Sequence, residues 1–296
     1  MSSVSHKLDE FLFAGVDARA AAWYRIGFAA VIPFFFASGD LGVPAWASGQ
    51  AAWTYENVFL SSAYVPLIAT LCVLLALGWK SRATAFVLVA MLAPLDFLDG
   101  GRQSRQVIIT ALLAFSFVRS GTVRFPWTAN NSFEKGAGPA WPIRLIQLQL
   151  TMLYGLNAIA KSSPEYLRGD ALMDMSAELA NFRIDFSTGA LQIGLVAIPV
   201  ALLAAASALM EYFLATAFWV RRLKWVAAIS GIVFHFVLTR IVAIFMLEYA
   251  AIFLYLAFLL PLVRPVSSAR YRSSPQPSGR RPDLRAPREA SPAIQP

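Results

Sequence analysis

WPIRLIQLQLTMLYGLNAIAKSSPEYLRGDALMDM, residues 141–175, is the stretch whose reading decides the fold. It begins as an apolar helix long enough to cross a bilayer, entered through Pro142 at a first-turn position where proline is tolerated. The helix ends on Lys161, followed by a Ser-Ser-Pro break and an amphipathic segment carrying Arg168 and Asp170. Gln147, Thr151, Tyr154, Asn157 and Lys161 are spaced 4, 3, 3 and 4 along it. At about 3.6 residues per turn they share roughly a third of the circumference, one polar stripe on an apolar rod. Polar groups are costly in hydrocarbon, so the stripe is expected to face other helices or a cavity.

Composition agrees. The chain has 296 residues, 58% hydrophobic and only 14% charged, with a mean hydropathy of +0.58. That is the profile of a polytopic, all-α membrane protein, with apolar segments suited to spanning helices rather than barrel strands. One cysteine, Cys72, excludes an internal disulfide, and two histidines, His6 and His235, are too few for a multi-histidine metal site. The opening SSVSHKLDE and the late first apolar run read as no cleavable signal peptide.

Outward from that helix, eight crossings are expected, near 20–38, 62–79, 83–98, 106–118, 141–161, within 191–220, 225–239 and 242–263. Residues 162–188 are amphipathic and belong in the interface or folded back over the bundle. Residues 1–19 read as a cytoplasmic N-terminal segment, 20–263 as the transmembrane domain and 264–296 as a disordered basic cytoplasmic tail. The tail holds seven arginines against Asp283 and Glu289, so it supplies +5 of the formal charge of +8. This is a membrane anchor's charge, and no nucleic-acid partner is expected. With both termini cytoplasmic, eighteen Lys and Arg fall inside and six outside, with Arg25 in the membrane. A multi-pass plasma-membrane protein follows, and the basic residues on the outer side become candidates for work other than anchoring.

Lys161 is one of them. A lysine at a helix end can simply snorkel to water and complement the negative helix terminus. On an already polar face it can instead be held partly out of water, which disfavours the ammonium and suits general-base work. Asp96, Asp99, Arg102 and Arg105 surround Gly100-Gly101 at the same face, either a self-neutralising turn or the polar wall of an outward pocket. His235 lies about two-thirds along its helix, and an ionisable group at such depth is a functional candidate by default. Glu211 needs a partner or a proton, Arg221 or Arg222 reaching it only across a tilted helix. Glu248 could pair with Arg240 across a short outer turn. Glu211, Arg240 and Glu248 are expected to be structural. No phosphate-binding glycine loop and no H-E-x-x-H motif appears.

On Arg144, Gln147, Tyr154, Lys161, Tyr166, Gly169 and Ala171 the sequence resembles the HTTM family, the membrane domain shared with vitamin K-dependent gamma-carboxylase. Glu211 in the sixth helix and His235 in the seventh extend the resemblance, which spans about 15–262, and the D-G-G-R turn is similar to the family's Gly-Gly turn. The resemblance implies that Lys161 acts as a base toward a reduced, vitamin K-like quinone at the outer side. The carboxylase has a histidine after its third-helix turn, where this chain reads Gly-Gly-Arg-Gln-Ser-Arg, and a large luminal domain that has no counterpart here. The scaffold and a base are therefore implied, and glutamate carboxylation is not.

Two readings result. In one, a membrane-embedded enzyme admits a lipid-soluble quinone, with Lys161 and His235 catalytic and Tyr154, Asn157, Gln147, Arg102 and Arg168 binding substrate. In the other, the chain is a non-catalytic membrane partner in maturation, export or immunity of a small secreted peptide. A transporter ranks third for want of an inverted repeat.

Overall fold

A computed structural model of the chain describes residues 2–37, 55–98, 103–123, 126, 136–178, 184–193, 195–241, 245–259 and 262–263. The Gly-Gly turn with Asp99 and Arg102, and the tail at 264–296, lie outside the described residues, as do the side chains of Asp96 and Glu248.

Most of the described chain is helical. In order it forms α1 (Ser2–Phe13), β1 (Gly15–Asp17), α2 (Ala18–Ala37), α3 (Tyr55–Leu77), α4 (Ser81–Leu98), α5 (Gln103–Phe115), a 3-10 turn (Ser120–Thr122) and β2 (Gly136–Pro139). Then follow α6 (Trp141–Ala160), α7 (Pro164–Arg168), α8 (Asp170–Glu178), β3 (Ala190–Ile193), β4 (Val196–Pro199), α9 (Val200–Ala217), α10 (Lys224–Ile241), α11 (Phe245–Leu254), α12 (Leu256–Leu259) and β5 (Leu262–Val263). Successive long helices pack as neighbours from α2 round to α11, and α11 returns against α2, α5 and α6, so the bundle closes on itself.

The burial pattern is inverted relative to a water-soluble helix. On α10 the inward residues are Ala227, Ala228, Gly231, His235 and Thr239. Trp225, Ile229, Val233 and Phe236, at helical spacing on the opposite face, are exposed. Polar and small residues inside with large apolar ones outside is the arrangement a lipid solvent favours. Among the described residues, α9 and α10 are the two helices long and apolar enough to cross a membrane by length and composition. Pro66–Leu77, Ser81–Pro94, Arg105–Phe115 and Tyr249–Leu259 are shorter apolar helices.

A buried aromatic cluster joins α2 to the C-terminal ends of α5 and α11. Tyr24 stacks on Phe253 at 4.8 Å, and Phe28 meets Phe253 and Phe115 at 4.9 and 5.3 Å. Beside it the fully buried Arg25 donates to the backbone carbonyls of Ser120, Val123 (3.1 Å) and Ala76 (3.1 Å). Carbonyls left over where helices end are thus satisfied by a residue that a helix core would otherwise reject.

Two apolar runs are divided by the structure more finely than their sequence indicates. The crossing expected within 191–220 is α9, Val200–Ala217, in the later part of that run. The run's first part is an antiparallel hairpin, with Ala190 opposite Pro199 and Ile193 opposite Val196. Pro199, at φ −56° and ψ 137°, then ends the strand and starts α9 at Val200. Proline lacks the N–H an interior helical position needs, so the run divides there. The last apolar run also breaks, at Tyr255, between α11 and α12. A second sheet, in the order β2-β1-β5, joins segments distant in sequence. Gly15 pairs with both Pro139 and Val263.

Candidate functional site

Pro142 stands in the first turn of α6, and the polar stripe runs down the side of the helix turned toward protein. Ile143, Ile146, Gln147, Leu150, Tyr154 and Ala158 are its buried residues. Gln147 accepts from Arg144 at 2.8 Å and donates to the carbonyl of Ala257 at 2.7 Å, so both ends of its amide are bonded. One turn on, half-buried Thr151 accepts from the indole N–H of Trp219 at 2.7 Å.

Tyr154 is the next residue of the stripe, and around it the structure assembles a compact polar group. Its hydroxyl lies 2.7 Å from Nε2 of His235 and 2.5 Å from the hydroxyl of Tyr255. Tyr255 in turn is 2.8 Å from the same nitrogen. All three side chains are buried. They come from α6, from α10 and from the break between α11 and α12.

Two turns further along α6, Lys161 caps the helix. Its ammonium donates to Oε1 of Glu211 at 2.7 Å and to Oγ of Ser207 at 3.1 Å. Ser207 and Glu211 are one turn apart on α9, so both present to the same point. The glutamate side chain is 4% exposed and the lysine 24%, so the pair is dry on one side and reachable on the other. The ring of Tyr166 lies 5.8 Å from the ammonium. Small residues let the helices approach this closely: Ala204 and Ala208 on α9 and Ala158 on α6 are buried.

The chain after Lys161 is held against α9 by local chemistry. Ser163 caps α7 by accepting from the amide of Tyr166, with Pro164 following in the first turn. Gly169 ends α7 at φ +90°. A Cβ there would stand 2.9 Å from Val200 Cγ1 and 3.0 Å from the Ala201 nitrogen, so glycine is required by conformation and by contact alike.

The other expected residues are placed as follows. Asn157 is half-buried on the same face of α6. Arg168 is exposed and bonds Asp170 at 2.9 Å, whose hydrogen bond and charge raise the guanidinium above its ordinary range. It is not gathered to the Lys161 cluster by any bond. Arg240 lies over the ring of Phe236 at 4.8 Å. Glu211 is paired with Lys161 rather than with Arg221 or Arg222, both of which are exposed. The correction has a physical reason. Glu211 stands within α9 and Arg221 lies ten residues on, past the helix end and about 15 Å along its axis, whereas α6 and α9 lie side by side.

Sequence reasoning missed Tyr255 and Ser207 as partners. Tyr255 sits in a run of apolar and aromatic residues whose one charged member, Glu248, lies two turns earlier. Ser207 was visible as the residue one turn before Glu211, and that spacing was the available signal.

No curated protein and no solved structure gives a significant match to the chain. A family model described as the HTTM domain matches residues 51–261, which include every residue of both polar clusters. The match covers well over half of the chain, and the protein belongs to the HTTM domain family, a family of membrane proteins.

Proposed function

We propose that the protein is a membrane-embedded enzyme that acts on a lipid-soluble, quinone-like substrate at the outer face of the plasma membrane, with Lys161 as the proton acceptor. One observation carries the reading: the partly exposed lysine of a buried ion pair, Lys161–Glu211, stands two turns along α6 from a buried, hydrogen-bonded group of three side chains. As a proton acceptor Lys161 would act from its amine form, with its proton lent to Glu211 beside it. The free amine then takes the hydroxyl proton of a reduced quinone, leaving its oxyanion beside the new ammonium. Ser207 fixes the direction of the amine throughout. Tyr154 and His235 are assigned a supporting role in orienting the substrate and exchanging protons, with Gln147 and Asn157 on the same face of α6.

The multi-pass arrangement with both termini cytoplasmic belongs to the same proposal. The β2-β1-β5 sheet supports it, because segments paired in one sheet lie on one side of a bilayer. That requires an even number of crossings between residues 17 and 136 and again between 139 and 262, as the distribution of Lys and Arg does.

The test is aerobic consumption of a reduced naphthoquinone by the protein in liposomes, with dioxygen as the oxidant of the deprotonated quinol. Lys161→Ala is expected to lose turnover while its expression and membrane insertion persist. Turnover equal to wild type in that variant overturns the reading. A second reading, a non-catalytic partner for a small secreted peptide, is favoured by one feature. The β3–β4 hairpin exposes Ile193, Leu195 and Val196 next to the start of α9. Peptide association lost in Leu195→Asp, with no quinol turnover by wild type, would establish it instead.

A further inference from the structure

Helix α1, Ser2–Phe13, takes no part in the site above, yet its side chains are sorted by face. At about 100° per residue, Phe11, Leu8 and Leu12 share an arc of roughly 100°. His6, Lys7, Asp9 and Glu10 occupy the rest of the circumference, with Phe13 outside the apolar arc at the helix end. Leu8 is 55% exposed, Phe11 is exposed and Leu12 is half-buried, so the described residues leave most of this stripe uncovered. A helix of twelve residues is marginal on its own in water, and the burial of such a stripe is what ordinarily sustains it.

The end of α1 is tied to one end of the bundle. Arg144, in the first turn of α6, donates to the carbonyl of Phe11 at 3.3 Å and lies over its ring at 4.1 Å. Ala14 follows, and then β1, which is paired on both sides by β2 and β5. Phe11, a member of the stripe, meets the ring of Trp219 at 6.1 Å. Trp219 stands just past the end of α9, exposed, with its indole N–H bonded to Thr151 on α6. Exposed Arg221 and Arg222 come next, and then Lys224, 5.9 Å from the ring of exposed Trp225. Tryptophan beside arginine and lysine at the ends of spanning helices marks the level of the lipid headgroups. Helix α1 therefore lies at that level. Through Phe11 and Trp219 its stripe continues the apolar outer face of α10, on which Trp225, Ile229 and Val233 stand.

We infer that α1 is an interfacial helix that lies in the plane of the membrane, with Leu8, Phe11 and Leu12 seated in phospholipid and Asp9 and Glu10 turned to water. Phospholipid is the partner its surroundings specify. The exposed guanidinium groups of Arg221 and Arg222 at the same level complement lipid phosphates, and the apolar stripe suits the boundary between headgroups and acyl chains. The inference goes beyond the proposed reaction, and it holds whichever leaflet this end of the bundle meets.

The test is spin-label accessibility in the full chain, reconstituted in vesicles of phosphatidylethanolamine and phosphatidylglycerol. Cys72→Ser removes the one cysteine, and Leu8→Cys, Glu10→Cys or Ile229→Cys then carries a single nitroxide. The label at 8 is expected to collide more with dioxygen, which concentrates in lipid, than with a water-soluble nickel chelate. Its expected depth is about 5–10 Å into the boundary between headgroups and acyl chains. The label at 10, about 200° round the helix from it, is expected to favour the chelate. A label at 8 that favours the chelate overturns the inference, because the stripe then faces water. Shielding of that label from both reagents overturns it too, since protein (a second copy, or the chain's own basic tail) then covers the stripe. The label at 229, on the outer face of α10, is expected to favour dioxygen and reports insertion of the bundle itself. Chelate preference at 8 with dioxygen preference at 229 sinks only the interfacial helix, and chelate preference at both sinks the membrane reading with it. Neither result bears on quinol turnover, which Lys161→Ala reads separately.

Discussion

Lys161→Met is the perturbation with the clearest arithmetic. It removes the ammonium 2.7 Å from Glu211 and leaves a carboxylate that is 4% exposed without that charge. Breaking a buried pair from one side costs about 3–5 kcal/mol, because the remaining ion has been desolvated without its compensation. The reverse change, Glu211→Leu, strands a lysine that is 24% exposed at a helix end. That side chain can swing its ammonium to water, so the loss is about 1–2 kcal/mol, the worth of a charged hydrogen bond partly recovered from solvent. The double variant removes both charges and should return to within about 1 kcal/mol of wild type. Denaturant titration of the purified protein in mixed micelles measures all three. The order Lys161→Met below Glu211→Leu below the double variant is the expected result. Equal losses in the two single variants, or additive losses in the double, would refute the claim that the glutamate is the desolvated partner.

Gly169→Ala should cost about 2–3 kcal/mol by the same titration, combining a left-handed backbone with contact on Val200, and a neutral substitution would count against the packing of α7 on α9. Asp185 accepts from the Ser187 amide and then from its hydroxyl, and both hold its carboxyl below the ordinary range. Because the folded value is depressed, this contribution is present at neutral pH and is lost as pH falls through it; Ser187→Ala should raise the Asp185 midpoint part of the way back in an NMR titration. In a Cys72→Ser background, Leu195→Cys on the exposed hairpin should react with an impermeant thiol reagent added outside intact cells, and labelling only after lysis would reverse the proposed orientation.

Several features of this protein were legible without coordinates. The period of Gln147, Tyr154 and Lys161 marks one face of a helix, and the cost of polar groups in hydrocarbon turns that face toward protein, where Gln147 and Tyr154 are indeed buried. Which part of the run 191–220 forms the crossing is decided at Pro199, which stands at the start of α9. An apolar run longer than a crossing does not say which end forms the helix, and here the run's first residues pair as a hairpin. The Gly-Gly turn with Arg102 lies outside the described residues.

Local sequence determined the helical stripe of α6 and its polar face, since both depend on spacing over a few residues. Tertiary structure alone decided the partners. Lys161 meets Glu211 fifty residues away, and Tyr154 meets Tyr255 a hundred and one residues away. Such pairings depend on the rotation and height of one helix against another. Those are set by how alanines and glycines such as Ala204, Ala208 and Gly231 let backbones approach, a property of two surfaces together that no single stretch of chain contains.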